Sequence, residues 1–197
     1  MNIYIVVEVK KREFVPKFLL SLEAALNNHT VYVGNITQLL IKDILKPGLL
    51  HHKSITPTVG RQALLKKLKK KKFIVSSLDE EVGGVSIDAK EYVNIRYGNK
   101  TVKLADQIFT WGKFDHQNLS RTYKKYKKKI LNTGNPRVDL WRNDFQKFHG
   151  KRKKKIILYS SNYNFFFGNL SLIDQYRKKK SLGYFKRGER EKFWLYR

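Results

Sequence analysis

The chain has 197 residues, 41% hydrophobic and 29% charged, which is the profile of a folded core and excludes a disordered chain. It has no cysteine, which excludes a disulfide framework and a thiolate zinc site, and no apolar run approaches the roughly 18 residues of a membrane span. Its 42 Lys and Arg against 16 Asp and Glu leave a net charge of +26, so the partners to weigh are anionic: nucleic acid, anionic lipid or a phosphorylated substrate.

Taken in order, Ile3 to Val9 reads as a continuous apolar strand, the pattern of a parallel strand buried on both faces. The chain enters it without the basic stretch of a signal peptide, so a cytoplasmic location is expected. Phe14 to Leu26 has helical periodicity with Phe14, Phe18, Leu19 and Leu22 on one side, and Pro16 is expected in the first turn. Thr30 to Gly34 is a second strand. A helix over about Ile36 to Leu45 stops before Pro47 and Gly48, and Leu49 to His52 is a brief third strand. A helix from about Pro57 to Lys71 then feeds the strand Phe73 to Leu78. Ser86 to Val102 shows no single clear pattern and reads as helix or turns.

Two strand–glycine–helix units follow, Leu104 to Gly112 with its helix and then Asn132 to Trp141. In the second, Gly134 and Asn135 suit a tight turn and Pro136 suits a first helical position. The repeated β–α order predicts an α/β fold, a Rossmann-like open parallel sheet with helices on both faces, whose ligands bind outside the carboxyl ends of the strands. The first domain is expected over 1–150. In 151–197, Lys151 to Lys155 reads as a charged linker and Ile156 to Ser161 as the strand opening an incomplete second lobe.

The lysine-rich runs, Lys66 to Lys72, Lys124 to Lys129 and Lys151 to Lys155, fall at helix ends and turns. A cation suits a helix carboxyl terminus, and the excess lysine travels with Asn, Ile, Phe and Tyr as A/T-rich codons would produce. The aromatic residues sit inside strands and do not interleave with the basic runs as base-stacking platforms would, so nucleic acid is not the expected partner.

Two strand ends carry groups with chemical potential. Glu8, Lys10, Arg12 and Glu13 cluster at the carboxyl end of the first strand, and strand alternation would put Glu8 and Lys10 on one side. A carboxylate there can take a proton from a hydroxyl while a cation holds an anionic group; equally, the cluster can be a solvated loop of weak ion pairs. Asp79, Glu80 and Glu81 follow Leu78. Close carboxylates split their pKa values usefully for acid–base work or bind a divalent cation, and they also serve simply as helix caps. The chain has no Asp-x-Asp triplet, phosphate-binding Gly-rich loop, dinucleotide fingerprint or nucleophile elbow. Adjacent His51 and His52 would face opposite ways on a strand and make a poor chelate. No metal and no cofactor are expected.

Ile5 to Glu13, His52 to Ser54, Leu78 to Glu81, Ala105 and Asp106 with Trp111 and Gly112, Thr133 to Asp139 and Tyr163 to Asn169 together resemble the bacterial surface carbohydrate biosynthesis proteins. That family is similar to two-lobed glycosyltransferases of the GT-B type. The resemblance runs from about Ile3 to Asn169 and implies an acceptor-side first lobe and a donor-binding second lobe, most of which is absent after Asn169. It implies a cleft with Glu8 as first choice of acceptor base, Glu81 as second, and Asp79 and Glu80 beside them. Lys10, Arg12, Glu13, Lys53, Ser54, Trp111, Gly112, Gly134, Asn135 and Arg137 would bind substrate, with helix N–H donors after Gly134 and Asn135 adding to an anion site. The implied partners are a sugar-nucleotide donor and a glycan or glycolipid acceptor, with peripheral contact to an anionic membrane. A sugar-nucleotide epimerase and a basic binder of nucleic acid or membrane are the alternatives.

Overall fold

In the computed structural model, six short apolar segments form one all-parallel sheet: β1 (Asn2–Val6), β2 (Thr30–Gly34), β3 (Leu49–His52), β4 (Ile74–Leu78), β5 (Gln107–Thr110) and β6 (Ile130–Asn132). Their order across the sheet is β2-β1-β3-β4-β5-β6. The structure describes residues 1–36, 39–40, 44–81, 89–146, 171, 173–174 and 177. The helices are α1 (Lys10–Leu26), α2 (Val59–Lys70), α3 (Ala89–Arg96), α4 (Asn99–Leu104), α5 (Lys113–Thr122), α6 (Pro136–Asp139) and α7 (Asn143–Gln146), with a 3-10 helix at Lys124–Lys129. This is the Rossmann-like α/β sheet expected from the β–α repeat.

Strand alternation divides the core. Tyr4, Val6, Leu50, Val75, Ile108 and Ile130 face one side, where they pack with Leu65 and Leu68 of α2, Val93 of α3, Val102 of α4 and Leu119 of α5. Ile3, Ile5, Leu49, Ile74 and Phe109 face the other side, where Leu20 and Ala24 of α1 pack along a cavity of about 360 Å³.

The amino-terminal edge of the sheet is closed by local ties. Asp106 receives Lys69 Nζ at 2.8 and 2.7 Å and the backbone N–H of Val75 at 2.8 Å, joining α2 to the starts of β4 and β5. Tyr4 donates its hydroxyl to Lys46 O at 3.0 Å. Gly48 admits no side chain, because a Cβ there would lie 2.3 Å from Asn2 O. Thr58 caps α2 by accepting from Arg61 N, and three lysines close that helix at its negative end.

Three expectations change. First, β1 ends at Val6 and α1 begins at Lys10, so Lys10, Arg12 and Glu13 are helical and strand alternation does not relate Glu8 to Lys10. The cause is the Glu13 carboxylate, which folds back to accept from Glu8 N at 2.9 Å and satisfies a donor at the helix entry. Second, Pro16 lies inside α1 rather than in its first turn. Third, the face of α1 is turned. Glu13, Pro16, Lys17 and Ser21 are buried, while Phe14, Phe18 and Leu22 are exposed, with the two phenyl rings stacked at 5.9 Å. Lys17 explains this, since its ammonium reaches Val6 O at 2.7 Å and anchors the polar side inward. Of the two readings of the stretch after Ser86, helix or turns, the helical one holds over α3 and α4, which are stabilised by Thr101, whose hydroxyl bonds Ile55 O and accepts from Gly98 N.

Contacts divide the chain into two units, Met1–Lys151 and Arg152–Arg197. The linker at Lys151 to Lys155, the strand at Ile156 to Ser161 and the Tyr163 to Asn169 segment lie outside the described residues, as does much of the helix expected near Ile36 to Leu45.

Candidate functional site

Strand order alone locates a crevice. β1 lies between β2 and β3, so the chain leaves β1 toward one side of the sheet and later returns on the other. In an open parallel sheet this split is where a ligand can enter outside the carboxyl ends. The residues following β1, β3 and β4 meet there.

At its base is a buried charged cluster. Glu13 is fully buried; Oε1 accepts from Arg12 Nη2 at 2.7 Å, and Oε2 accepts from Glu8 N at 2.9 Å and Lys17 Nζ at 3.1 Å. Burial pushes the Glu13 pKa up, but the Arg12 and Lys17 interactions outweigh it and hold the carboxyl below its ordinary value. The Lys17 ammonium also lies 3.4 Å from Glu80 Oε1. The other Glu80 oxygen is buried without a hydrogen-bond partner. Asp79 is buried too, gripped by Arg96 through Nε at 2.9 Å and Nη2 at 2.7 Å, and it accepts from Glu81 N at 2.9 Å. Asp79 and Glu80 are therefore turned inward and held by cations.

Glu8 and Glu81 stand at the opening. The Glu8 side chain is 53% exposed and pairs with Lys53, itself 16% exposed. Glu81 is 44% exposed; it pairs with Arg96 Nη1 at 2.8 Å and lies 3.8 Å from Arg12 Nη2 and 4.0 Å from Lys53 Nζ. Two accessible carboxylates thus share three cations contributed by α1, the end of β3 and α3. Lys53 O accepts from Glu80 N at 3.1 Å, which ties the ends of β3 and β4 together. Ser54 is buried and uses its backbone N–H on His52 Nδ1. Lys10 is exposed at the start of α1.

The ends of β5 and β6 form an adjoining wall. Trp111 donates Nε1–H to Asp79 O at 2.6 Å, and Arg137 stacks over its ring at 4.8 Å while reaching Glu80 O at 3.4 Å. Gly112 opens α5, and Gly134 takes φ of +84°, a conformation that glycine adopts at little cost. Pro136 starts α6 as the sequence suggests, and Asn135, read there as a turn residue, caps it. The expected anion site at this helix entry does not form: Arg137 N is bonded to Asn135 Oδ1 at 2.8 Å and Val138 N to Asn135 O at 2.9 Å. A single-turn helix spends its few donors on its own cap.

Lys17 and Arg96 escaped the sequence reading. Lys17 had a signal, since it stands four positions after Glu13 on one helix. Arg96 sits in the unpatterned stretch and had none. His51 and His52 do point apart: His51 bonds Ser76 Oγ at 2.9 Å, and His52 lies against Arg61. Burial lowers the His51 pKa to about 4, and burial followed by the Arg61 charge lowers that of His52 to about 3. Among the described residues no group of three or more His, Cys, Asp or Glu is arranged to hold a metal, and no helix is long and apolar enough to cross a membrane.

The fold and this edge define an open-sheet α/β unit with an ionisable crevice at its β1/β3 split. No protein-family model, curated protein or solved structure matches the chain.

Proposed function

We propose that the first unit is the acceptor-side part of a glycosyltransferase-like protein of surface polysaccharide assembly. The observation that carries this reading is the meeting of Glu8, Arg12, Lys53 and Glu81 at the strand split, with Glu13, Lys17, Glu80 and Asp79 buried beneath them. The resemblance of the strings at these same positions to the surface carbohydrate family supports it. In this reading Glu8 accepts the proton of an acceptor hydroxyl. The freed oxygen pair forms the bond to the anomeric carbon of the donor sugar, and the electrons of the breaking C–O bond leave with the nucleotide diphosphate. Arg12 and Lys53 offset negative charge on donor or acceptor. Glu81 is the second accessible carboxylate and, through Arg96 and Lys53, fixes the cations around the opening.

The test is nucleotide release by a form of the protein that carries a complete donor-binding lobe, from a panel of sugar nucleotides offered with glycan or lipid-linked acceptors; this chain alone is expected to be inactive. Loss of a general base costs on the order of a hundredfold in rate, so Glu8→Gln is expected to fall by about that factor. Unchanged turnover in Glu8→Gln would remove it as the base. Conversion of the sugar nucleotide without any acceptor would replace transfer by epimerisation.

A further inference from the structure

The lysine run Lys124 to Lys129 is not only a turn. It forms a 3-10 helix directly after α5, and the two helices line a solvent-open pocket of about 360 Å³ bordered by His116, Gln117, Ser120, Arg121, Lys124 and Lys127, with Gln117, Arg121 and the two lysines exposed at its rim. The spacing accounts for this lining. His116 and Ser120, like Gln117 and Arg121, are four apart on α5 and so lie on one helix surface. Lys124 and Lys127 are three apart in a 3-10 helix, where such side chains eclipse. The result is three cations, a hydroxyl, an amide and an imidazole around one space, with no carboxylate in its wall.

Two polar atoms in that wall are left over. Ser120 is 7% exposed and its Oγ has no hydrogen-bond partner, and His116 Nδ1 is likewise buried and unpartnered. A buried hydroxyl without a partner is costly and uncommon, so its position in a basic cavity points to an absent acceptor. The neighbours of the cavity-lining lysines are committed or excluded. Lys129 donates to Lys103 O and Ala105 O, while Lys125 and Lys128, as exposed as Lys124 and Lys127, do not line the space.

We propose that this cavity binds a phosphoryl group, either on a soluble phosphate ester or in a lipid headgroup. The Ser120 hydroxyl donates one hydrogen bond, Arg121 offers its paired N–H donors, and Lys124 and Lys127 supply the countercharge. The site belongs to α5 and the 3-10 helix, uses none of the groups at the β1/β3 split, and stands or falls independently of the proposed transfer activity.

The experiment is an NMR titration of the full ¹⁵N-labelled chain with inorganic phosphate and with glycerol phosphate, beside sedimentation with phosphatidylglycerol/phosphatidylcholine vesicles. Saturable shifts centred on His116, Ser120, Arg121 and Lys124 are expected. Ser120→Ala and Lys124→Gln each remove a hydrogen bond to a charged group and should weaken binding about tenfold. Lys128→Gln makes the same change in net charge outside the cavity and should leave affinity near that of the wild type. Binding of the soluble esters identifies a small ligand, and binding confined to vesicles identifies a headgroup. No saturation with any probe, or an equal loss in Lys128→Gln and Lys124→Gln, would overturn the site.

Discussion

The two edges of this sheet use charge in different ways. At the amino-terminal edge two lysines have fixed local duties: Lys69 is bound by Asp106 and by Phe73 O, and Lys129 by backbone carbonyls. At the carboxyl-terminal edge around β1 and β3, charge is layered. Glu13, Lys17 and Glu80 are buried in mutual contact, Asp79 is buried against Arg96, and above them Glu8, Glu81, Arg12 and Lys53 remain within reach of solvent. The first edge spends its charge on closing the fold. The second carries a structural layer that holds a chemical layer in place.

Substitutions at the two edges sharpen that contrast, and the buried layer should respond most. Lys17→Met leaves Glu13 and Glu80 buried without their shared cation, and removing one partner of a buried pair costs about 3–5 kcal/mol. Chemical denaturation should register a loss of that order; a loss below about 1 kcal/mol would mean the cluster is hydrated and not structural.

Acid comes next. His51 and His52 are held neutral with folded pKa values of about 4 and about 3, below the ordinary 6.5. Below pH 6.5 the unfolded chain therefore binds more protons than the folded one. Stability falls as pH drops from 6.5 toward 4, by up to about 1.4 kcal/mol per pH unit for each histidine. Glu13, with its pKa lowered, adds stability above the ordinary carboxyl range that is lost as pH falls through its depressed value. Melting temperature against pH should slope downward from 6.5, and His52→Asn should flatten the slope. An unchanged slope in that variant would contradict a neutral buried His52.

Asp106→Asn tests the amino-terminal edge. Lys69 and Asp106 are each about a third exposed, and Asn can still accept from Val75 N, so the loss should be about 1 kcal/mol or less. A larger loss than in Lys17→Met would reverse the comparison.

The sequence made the sheet legible because buried parallel strands are short apolar runs, and the glycines and Pro136 punctuate them. Glu8 and Glu81 were legible as charges near strand ends, although the pattern ran the first strand on to Val9 and it stops at Val6, while Lys53 was pointed to only by the family resemblance. The orientation of α1 was not. Its apolar periodicity nominates Phe14, Phe18 and Leu22 for burial, and only the contact of Lys17 with Val6 O and Glu13, invisible to periodicity, turns them outward. Nor could sequence separate the three carboxylates after β4. Which of them faces solvent depends on Arg96, which arrives from a helix without a clear pattern.

The smallest stability effect belongs to the most important side chain for chemistry. Glu8 is half exposed at the upper layer, so Glu8→Gln should leave stability within about 0.5 kcal/mol of the wild type. Measuring nucleotide release and melting temperature on that one variant, in a form of the protein that carries a complete donor-binding lobe, therefore tests the central claim most directly. The layered edge predicts a transfer rate lower by about a hundredfold with an unchanged melting temperature. An unchanged transfer rate, or a rate that falls only in step with a lost fold, would contradict it.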